Sequence, residues 1–390
     1  MIVSPITTNE SRELQSPFDY QPLGRVVFGP GALSRLGELA RDLGGTRVLL
    51  VTDPGLETAG HPQRAVEALR SAGLAVAVFD EVEENPTGRH VEAAAAMARG
   101  HRADLLVAVG GGSAMDVAKG TNFVVSNGGS IADYRGFGKA TKPMLPSIGV
   151  PTTAGTGSEA QSYALIADES SHLKMACGDK KAAFRIAVLD PEVTLTQPKM
   201  VTAVTGIDSV AHAIESYVCT KRNALSQTFS RQAWNLLSRN FERVLNQPED
   251  LPARADMQLG AHLGGMAIEA SMLGCAHACA NPLTAHYGTT HGVAVGVMLP
   301  HVIRYNAAAA DPLYAELAKD AGLPGGADAL ARRVTALLRA AELPTTLGEC
   351  GVSSDIVPVL AVEASEQWTA RFNPRPVTEA DLRRLYEAAM

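Results

Sequence analysis

The stretch DLLVAVGGGSAMDVAKG, Asp104 to Gly120, runs an apolar segment into three glycines and a serine and then into an alanine-containing helical pattern. Glycines let a backbone approach a pyrophosphate, and the N-terminus of a helix favours its charge, so this strand, turn and helix read as a phosphate site in a parallel sheet. The spacing is not GxGxxG, and a plain tight turn explains GGGS equally well when it is taken alone. The neighbouring chain repeats the pattern. RVLLV (Arg47 to Val51) reads as a buried strand, RAVEALRSAG as a helix, LAVAVFD (Leu74 to Asp80) as the next strand and HVEAAAAMARG as the next helix. That alternation predicts a doubly wound α/β fold. Ahead of it, Phe18 to Phe28, with its Pro-Leu-Gly break, reads as a hairpin, and FGPGAL (Phe28 to Leu33) as the turn that starts the first helix.

A second loop rich in glycine and hydroxyls, PTTAGTGSE (Pro151 to Glu159), follows the strand SIGV. Ligands of open α/β sheets gather at the carboxyl ends of strands, where both loops lie. Beyond AVLDPEVT (Ala187 to Thr194) strands cease, and apolar residues recur at helical spacing almost to Met390. The reading is an α/β dinucleotide-binding domain over residues 1–195 and an all-α domain over residues 196–390, with LPGGAD and NPRP as helix connections.

The 390 residues carry a net charge of −7, from 34 basic and 41 acidic side chains, which argues against a nucleic-acid or anionic-membrane surface. With 46% hydrophobic and 19% charged residues the composition is globular, and no run approaches the length of a membrane span. MIVSPITTNESRELQ lacks the basic and apolar regions of a secretory signal, so a cytoplasmic location is expected. Cys177, Cys219, Cys275, Cys279 and Cys350 are too few and odd in number for a disulfide framework and read as free thiols.

Asp53 ends the first strand of the alternation. There a carboxylate can accept hydrogen bonds from the adenosine ribose and repel a 2′-phosphate, favouring NAD over NADP; an Asx-turn ahead of Pro54 and Gly55 is the equal alternative. In GIDSVAHAIESY, Asp208 and His212 stand four apart, on one face of a helix and close enough to share a cation, although a simple charge pair has the same spacing. Taken alone the pair reads more readily as that charge pair, but the segment around it is mostly apolar, and a buried carboxylate needs a partner or a metal. Downstream, residues 271–301 hold His277, His286, His291 and His301, four of the ten histidines. On a helix Cys275 and Cys279 share a face that His277 does not, so these three make no zinc knuckle. His262 reads as a hydrogen-bonded core histidine.

In order and spacing, FGPGAL, the VTD of Val51 to Asp53, NPT (Asn85 to Thr87), GGGSAMDVAK, PTTAGTGSE, LDPEVT, GIDSVAHAIESY, the histidine-rich stretch and NPRP (Asn373 to Pro376) resemble the iron-containing (group III) alcohol dehydrogenases, relatives of glycerol dehydrogenase and dehydroquinate synthase. The resemblance covers nearly the whole chain. It implies a dinucleotide domain, a helical domain and a divalent ion between them, held by Asp208, His212, His277 and His291. The implied contacts to NAD are Asp53, Asn85, Gly111, Gly112, Ser113, Thr152, Thr153, Thr156, Lys174 and Leu189. Lys174 matches by its distance of 16 residues to Asp190, although the segment LKMACGDKKAAF departs from the family's proline-containing pattern. The main departure is Asn281, which stands where many members carry a second histidine; an amide cannot relay a proton. His286 is the expected substitute, with Tyr287, a cofactor ribose hydroxyl or water as alternatives.

The implied reaction is reversible hydride transfer between a small alcohol or its aldehyde and NAD, assisted by iron or, since a His/Asp site takes several first-row ions, zinc. A homo-oligomer, a dimer, is expected. A maleylacetate reductase-like or other related oxidoreductase is one alternative, and a nucleotide- and metal-binding protein without turnover another. A lyase of the dehydroquinate-synthase type would want a cluster of Lys and Arg, which GIDSVAHAIESYV does not offer.

Overall fold

The computed structural model describes residues 17–169 and 174–390; the signal-free reading of MIVSPITTNESRELQ lies outside the described residues. Six strands form one parallel sheet: β1 (Arg25–Phe28), β2 (Arg47–Val51), β3 (Ala75–Phe79), β4 (Leu105–Gly110), β6 (Ser147–Pro151) and β9 (Ile186–Leu189), in the order β1-β9-β6-β4-β2-β3. The strand, helix and strand boundaries read from RVLLV, RAVEALRSAG and LAVAVFD fall within a residue or a turn of β2, α2 (His61–Ser71) and β3.

Alternation of side chains along β2 explains why its run is apolar throughout. Val48 and Leu50 point to the layer of α1 (Leu36–Asp42) and α2, while Leu49 and Val51 point to that of α3 (Gly88–His101) and α4 (Gly112–Asn127). A parallel strand covered on both faces must be apolar on both.

Two features differ from the sequence expectations. Phe18 to Phe28 is no hairpin: only β1 is extended, and it pairs in parallel with β9, Arg25 opposite Ile186. There is also a small mixed sheet, β5 (Gly136–Phe137), β7 (Tyr163–Ala167) and β8 (Lys174–Gly178), with β7 and β8 antiparallel.

From Lys199 onward the chain is helical: α5 (Lys199–Val218), α6 (Ala224–Asn246), α7 (Leu251–Ala270), α8 (Cys275–Tyr287), α9 (His291–Asp320), α10 (Ala327–Ala340), α11 (Val357–Glu366) and α12 (Glu379–Ala389). LPGGAD links α9 to α10, its Ala327 and Asp328 opening α10, and NPRP falls between a short 3-10 helix and α12. α5 is sheathed by its neighbours; Ile207, Val210, Ala211 and Ile214 are fully buried with Trp234, Leu237 and Phe241 of α6. That burial carries Asp208 and His212 into the interior. The cysteines are free, and the Sγ atoms of Cys275 and Cys279 lie 4.0 Å apart on one face of α8.

Candidate active site

The first glycine turn ends β4 and opens α4. Gly111 precedes the helix in an extended conformation with no side-chain cap, leaving the first N–H groups of α4 to face a ligand. The second loop follows β6 beside it, and Thr152 N–H donates to the Gly110 carbonyl at 2.9 Å. A Cβ at Gly112 would sit 2.7 Å from Thr156 Cγ2, and one at Gly111 3.4 Å from Thr153 Cγ2, so the close approach at Gly112 requires a residue without a side chain, while Gly111 makes an ordinary contact. Asp53 joins them, its Oδ2 lying 3.1 Å from where a Gly110 Cβ would be. Burial pushes its carboxyl pKa up, and the backbone N–H groups of Gly55 and Leu56 act in the opposite direction. The nearby N–H groups suit the Asx-turn reading, and the placement beside the glycine turn suits the ribose reading.

Of the other residues implied for the cofactor, Ser113 lies in the first turn of α4 and Thr152 is buried at the end of β6. Leu189 is fully buried at the end of β9, and Asn85 is exposed with φ 53°. Lys174 opens β8; burial lowers its pKa, while Asp116, Asp208 and Glu84 draw it back up. Lys119 is a structural contributor that the sequence reading missed. Its buried ammonium donates to Ser158 Oγ (2.7 Å) and the Ser158 carbonyl (3.1 Å) and faces Asp116 (3.3 Å), tying the second loop to α4.

Across the cleft, ligand atoms of Asp208, His277 and His291 lie within 4.8 Å of one another. Asp208 Oδ1, His277 Nε2 and His291 Nδ1 are buried and lack hydrogen-bond partners. His212 stands beside them, its Nε2 3.5 Å from Asp208 Oδ1 and its ring stacked at 5.0 Å on that of His277. Buried polar atoms left unpaired in one cluster mark a site for a cation, and one carboxylate with imidazoles is a donor set that suits divalent iron or zinc.

The electrostatics follow from burial and the single carboxylate. Burial alone would raise Asp208, but His212, His277 and His291 hold its carboxyl well below the usual range. Burial lowers His212 and His291. His277 differs: against the same burial, Asp208 and Glu215 push it up to about 9. Glu215 escaped the sequence reading although it lies three residues after His212. Its Oε2 is 2.5 Å from His277 Nδ1, and its Oε1 accepts from Ala276 N–H at 2.7 Å. Such a carboxylate fixes the ring and its tautomer, leaving Nε2 for the cation.

The NPRP motif supports the same helix start. Asn373 Oδ1 accepts from Asn306 Nδ2 (3.0 Å) and Cys275 N–H (3.4 Å), and Asn373 Nδ2 donates to Asn306 Oδ1 (2.6 Å). Gly274 lies between Glu215 and Asn373, where a Cβ would be 3.0 Å from Glu215 Oε1.

The expected proton relay is not assembled. His286 lies nine residues past His277, which on a helix is half a turn round and about 13 Å along; its ring is exposed and its Nε2 is 2.9 Å from both carboxylate oxygens of Glu363. The Tyr287 hydroxyl accepts from Ser353 N–H at 3.4 Å. Asn281 is one turn past His277, partly buried, and donates through Nδ2 to Gln367 Oε1 at 2.9 Å. His262 is a buried histidine whose Nδ1 lies 3.0 Å from Glu159 Oε1, as its core reading expected.

A family model described as iron-containing alcohol dehydrogenase matches residues 24–191, and one described as Fe-containing alcohol dehydrogenase family, C-terminal, matches residues 202–390. The NAD-dependent methanol dehydrogenase of Bacillus methanolicus is 32% identical over 371 residues, covering 93% of this chain and 97% of that protein. The 1,3-propanediol dehydrogenase of Klebsiella pneumoniae is 34% identical over 381 residues, covering 95% and 98%. Among solved structures, a 1,3-propanediol oxidoreductase superposes with a TM-score of 0.92 at 33% identity, covering 96% of this chain and 100% of that one.

Proposed function

Because the chain belongs to the iron-containing alcohol dehydrogenase family, and is with it an NAD- and iron-dependent oxidoreductase of alcohols and aldehydes, we propose that Asp208, His212, His277 and His291 hold the ion. The observation that carries this reading is the convergence of ligand atoms of Asp208, His277 and His291 within 4.8 Å of one another in the interior. The bound groups supply the chemistry, the ion polarising the alcohol or carbonyl oxygen and the nicotinamide taking or giving hydride.

The chain's own residues bind and orient. Gly111, Gly112 and Ser113 offer backbone N–H groups to the pyrophosphate, and Thr152, Thr153 and Thr156 complete that cradle. Asp53 accepts from the ribose and favours NAD over NADP; Asn85, Lys174 and Leu189 complete the contacts proposed for the cofactor. Glu215 orients His277. Asn281 would hydrogen-bond the substrate side of the site without carrying a proton, which leaves the alcohol proton to water.

Tyrosine- or histidine-based relays find no support in the positions of Tyr287, half-buried against the helical core, and His286, exposed and paired to Glu363. The reading is tested by loading the protein with ferrous iron, measuring bound metal, and following NADH absorbance with a panel of small alcohols and aldehydes. One ion per chain and turnover with NAD are expected; a loaded protein silent with every alcohol and aldehyde overturns it.

We propose further that the dinucleotide domain ends near residue 195 and that the chain acts as a homodimer, a reading supported by the sheet edge at β1, where Val26 and Phe28 are exposed. A cytoplasmic location is proposed, and the absence of a nucleic-acid partner is proposed on the net charge of −7. No helix among the described residues is long and apolar enough to cross a membrane.

A further inference from the structure

α4 turns one stripe of residues toward the second loop. Gly112, Asp116 and Lys119 stand at i, i+4 and i+7, which is one face of a helix, and each of them meets that loop. Gly112 gives way to Thr156. Asp116 Oδ1 accepts from Ser158 Oγ at 2.7 Å. The Lys119 ammonium donates to Ser158 Oγ at 2.7 Å, reaches the carbonyls of Ser158, Gln161 and Tyr163, and faces Asp116 at 3.3 Å. The letters GGGSAMDVAK therefore hold more than a glycine turn, because their Asp and Lys are spaced to grip the loop beside it.

Lys119 is fully buried. Burial lowers its pKa, and Asp116 draws it back up. A buried charge is costly unless it is paired and hydrogen-bonded. An ammonium has three N–H donors and no acceptor, and carbonyls from three residues of one short segment converge on it here. A neutral side chain of the same length would take that donor away from all of them. The hold is passed on toward the glycine turn. Ser158 N–H donates to Thr156 Oγ1 at 3.2 Å, and Gln161 Nε2 donates to the carbonyls of Thr156 and Gly157 at 2.9 and 3.2 Å. The residues that Lys119 fixes thus fix, in turn, the threonine that lies against Gly112.

We propose that Lys119 and Asp116, acting through Ser158, are positioning residues for the pyrophosphate of the dinucleotide: they set Thr156 against the start of α4, and their contribution is felt by the phosphate-bearing part of the cofactor and not by the ion. This rests on the reading of the two loops as a pyrophosphate cradle. Lys119, being sealed from solvent, acts only through the loop.

The test measures, on the iron-loaded protein, the Kd of NADH from its fluorescence and the Kd of ADP-ribose and of adenosine from displacement of NADH. Lys119→Met should weaken NADH and ADP-ribose by roughly tenfold and Ser158→Ala by roughly fivefold, while adenosine affinity and iron content match wild type. Because the two side chains act in one network, the double variant should lose less than the product of the two single losses. Ser158→Ala deletes a single hydroxyl and decides the question should Lys119→Met not fold. Unchanged ADP-ribose affinity in Ser158→Ala overturns the proposal, and so do equal losses for adenosine and ADP-ribose, which would mark a general loosening of the fold. Gly112→Ala tells the two failures apart: if it alone weakens ADP-ribose, the anchor is wrong and the cradle stands, and if none of the variants weakens NADH or ADP-ribose, the cradle reading falls with the anchor.

Discussion

At the site proposed for the nucleotide the surface is made of backbone: Gly112 approaches Thr156 so closely that a Cβ there has no room, and Gly111 stands beside Thr153. At the site proposed for the ion it is made of side chains, sent inward by α5, α8 and α9 and steadied by Glu215 behind them. The first region is damaged by adding atoms and the second by removing them. Four variants exploit that contrast, beginning with the largest effect.

His277→Ala removes a donor from the cluster and should reduce bound iron to a trace, with kcat/KM falling by more than about 100-fold, since ligand loss exceeds what loss of a supporting partner costs. Elemental analysis beside the NADH assay checks it, and full occupancy in the variant would defeat the ligand assignment.

Glu215→Gln keeps the shape and removes the charge behind His277. Iron affinity should fall by about 10- to 100-fold, read by competition with a chelator. Proton linkage gives this region a further signature. In the metal-free protein His277 titrates at about 9, so iron must displace its proton at neutral pH, and affinity should rise close to tenfold per pH unit from pH ~7 toward 9. The same raised value stabilises the metal-free fold fully below the ordinary histidine pKa of about 6.5, and that contribution is lost as pH rises through about 9. Both dependences should flatten in Glu215→Gln, and iron affinity in wild type that ignores pH would argue against a protonated His277.

Gly112→Ala tests the other plan. Its Cβ meets Thr156 Cγ2 at 2.7 Å, so the two loops must part, raising the KM for NAD by about tenfold while iron content stays at one per chain. Loss of iron together with the change in KM would show that the two regions are not separately built. The smallest effect belongs to His286→Gln. With its ring exposed and paired to Glu363, turnover and its pH profile should match wild type, and loss of an ionisation near pH ~6 to 7 would restore His286 as a relay.

The comparison also explains what the chain's letters revealed. β2, β3, β4 and the two loops are local patterns, each complete within about ten residues, and they lie where the alternation put them. Asp208 and His212 are local as well, being four apart on one helix. Glu215 looked like an ordinary helical acid because its meaning depends on Ala276 and His277 of α8. Gln367 and Asn373 are likewise defined by residues far away in sequence. The misread hairpin has the same origin: Arg25 to Phe28 extend because β9 lies beside them, and no turn in Phe18 to Phe28 announces that partner. Recognition by motif order supplied His277 and His291, which no spacing on one helix would have joined to Asp208.

The second loop has a mechanical consequence. Ser209 Oγ lies 3.0 Å from the carbonyl oxygens of both Ala154 and Gly155, Gln258 Nε2 donates to the Pro151 carbonyl, and Gly157, at φ 61°, presses against the backbone of Gly265. Prising the two halves apart at this seam would strand several buried carbonyls without donors, at about 1–3 kcal/mol each. The second loop is thereby bolted to α5 and α7, the same two helices that wall the histidine cluster, and cannot be displaced without breaking those bonds.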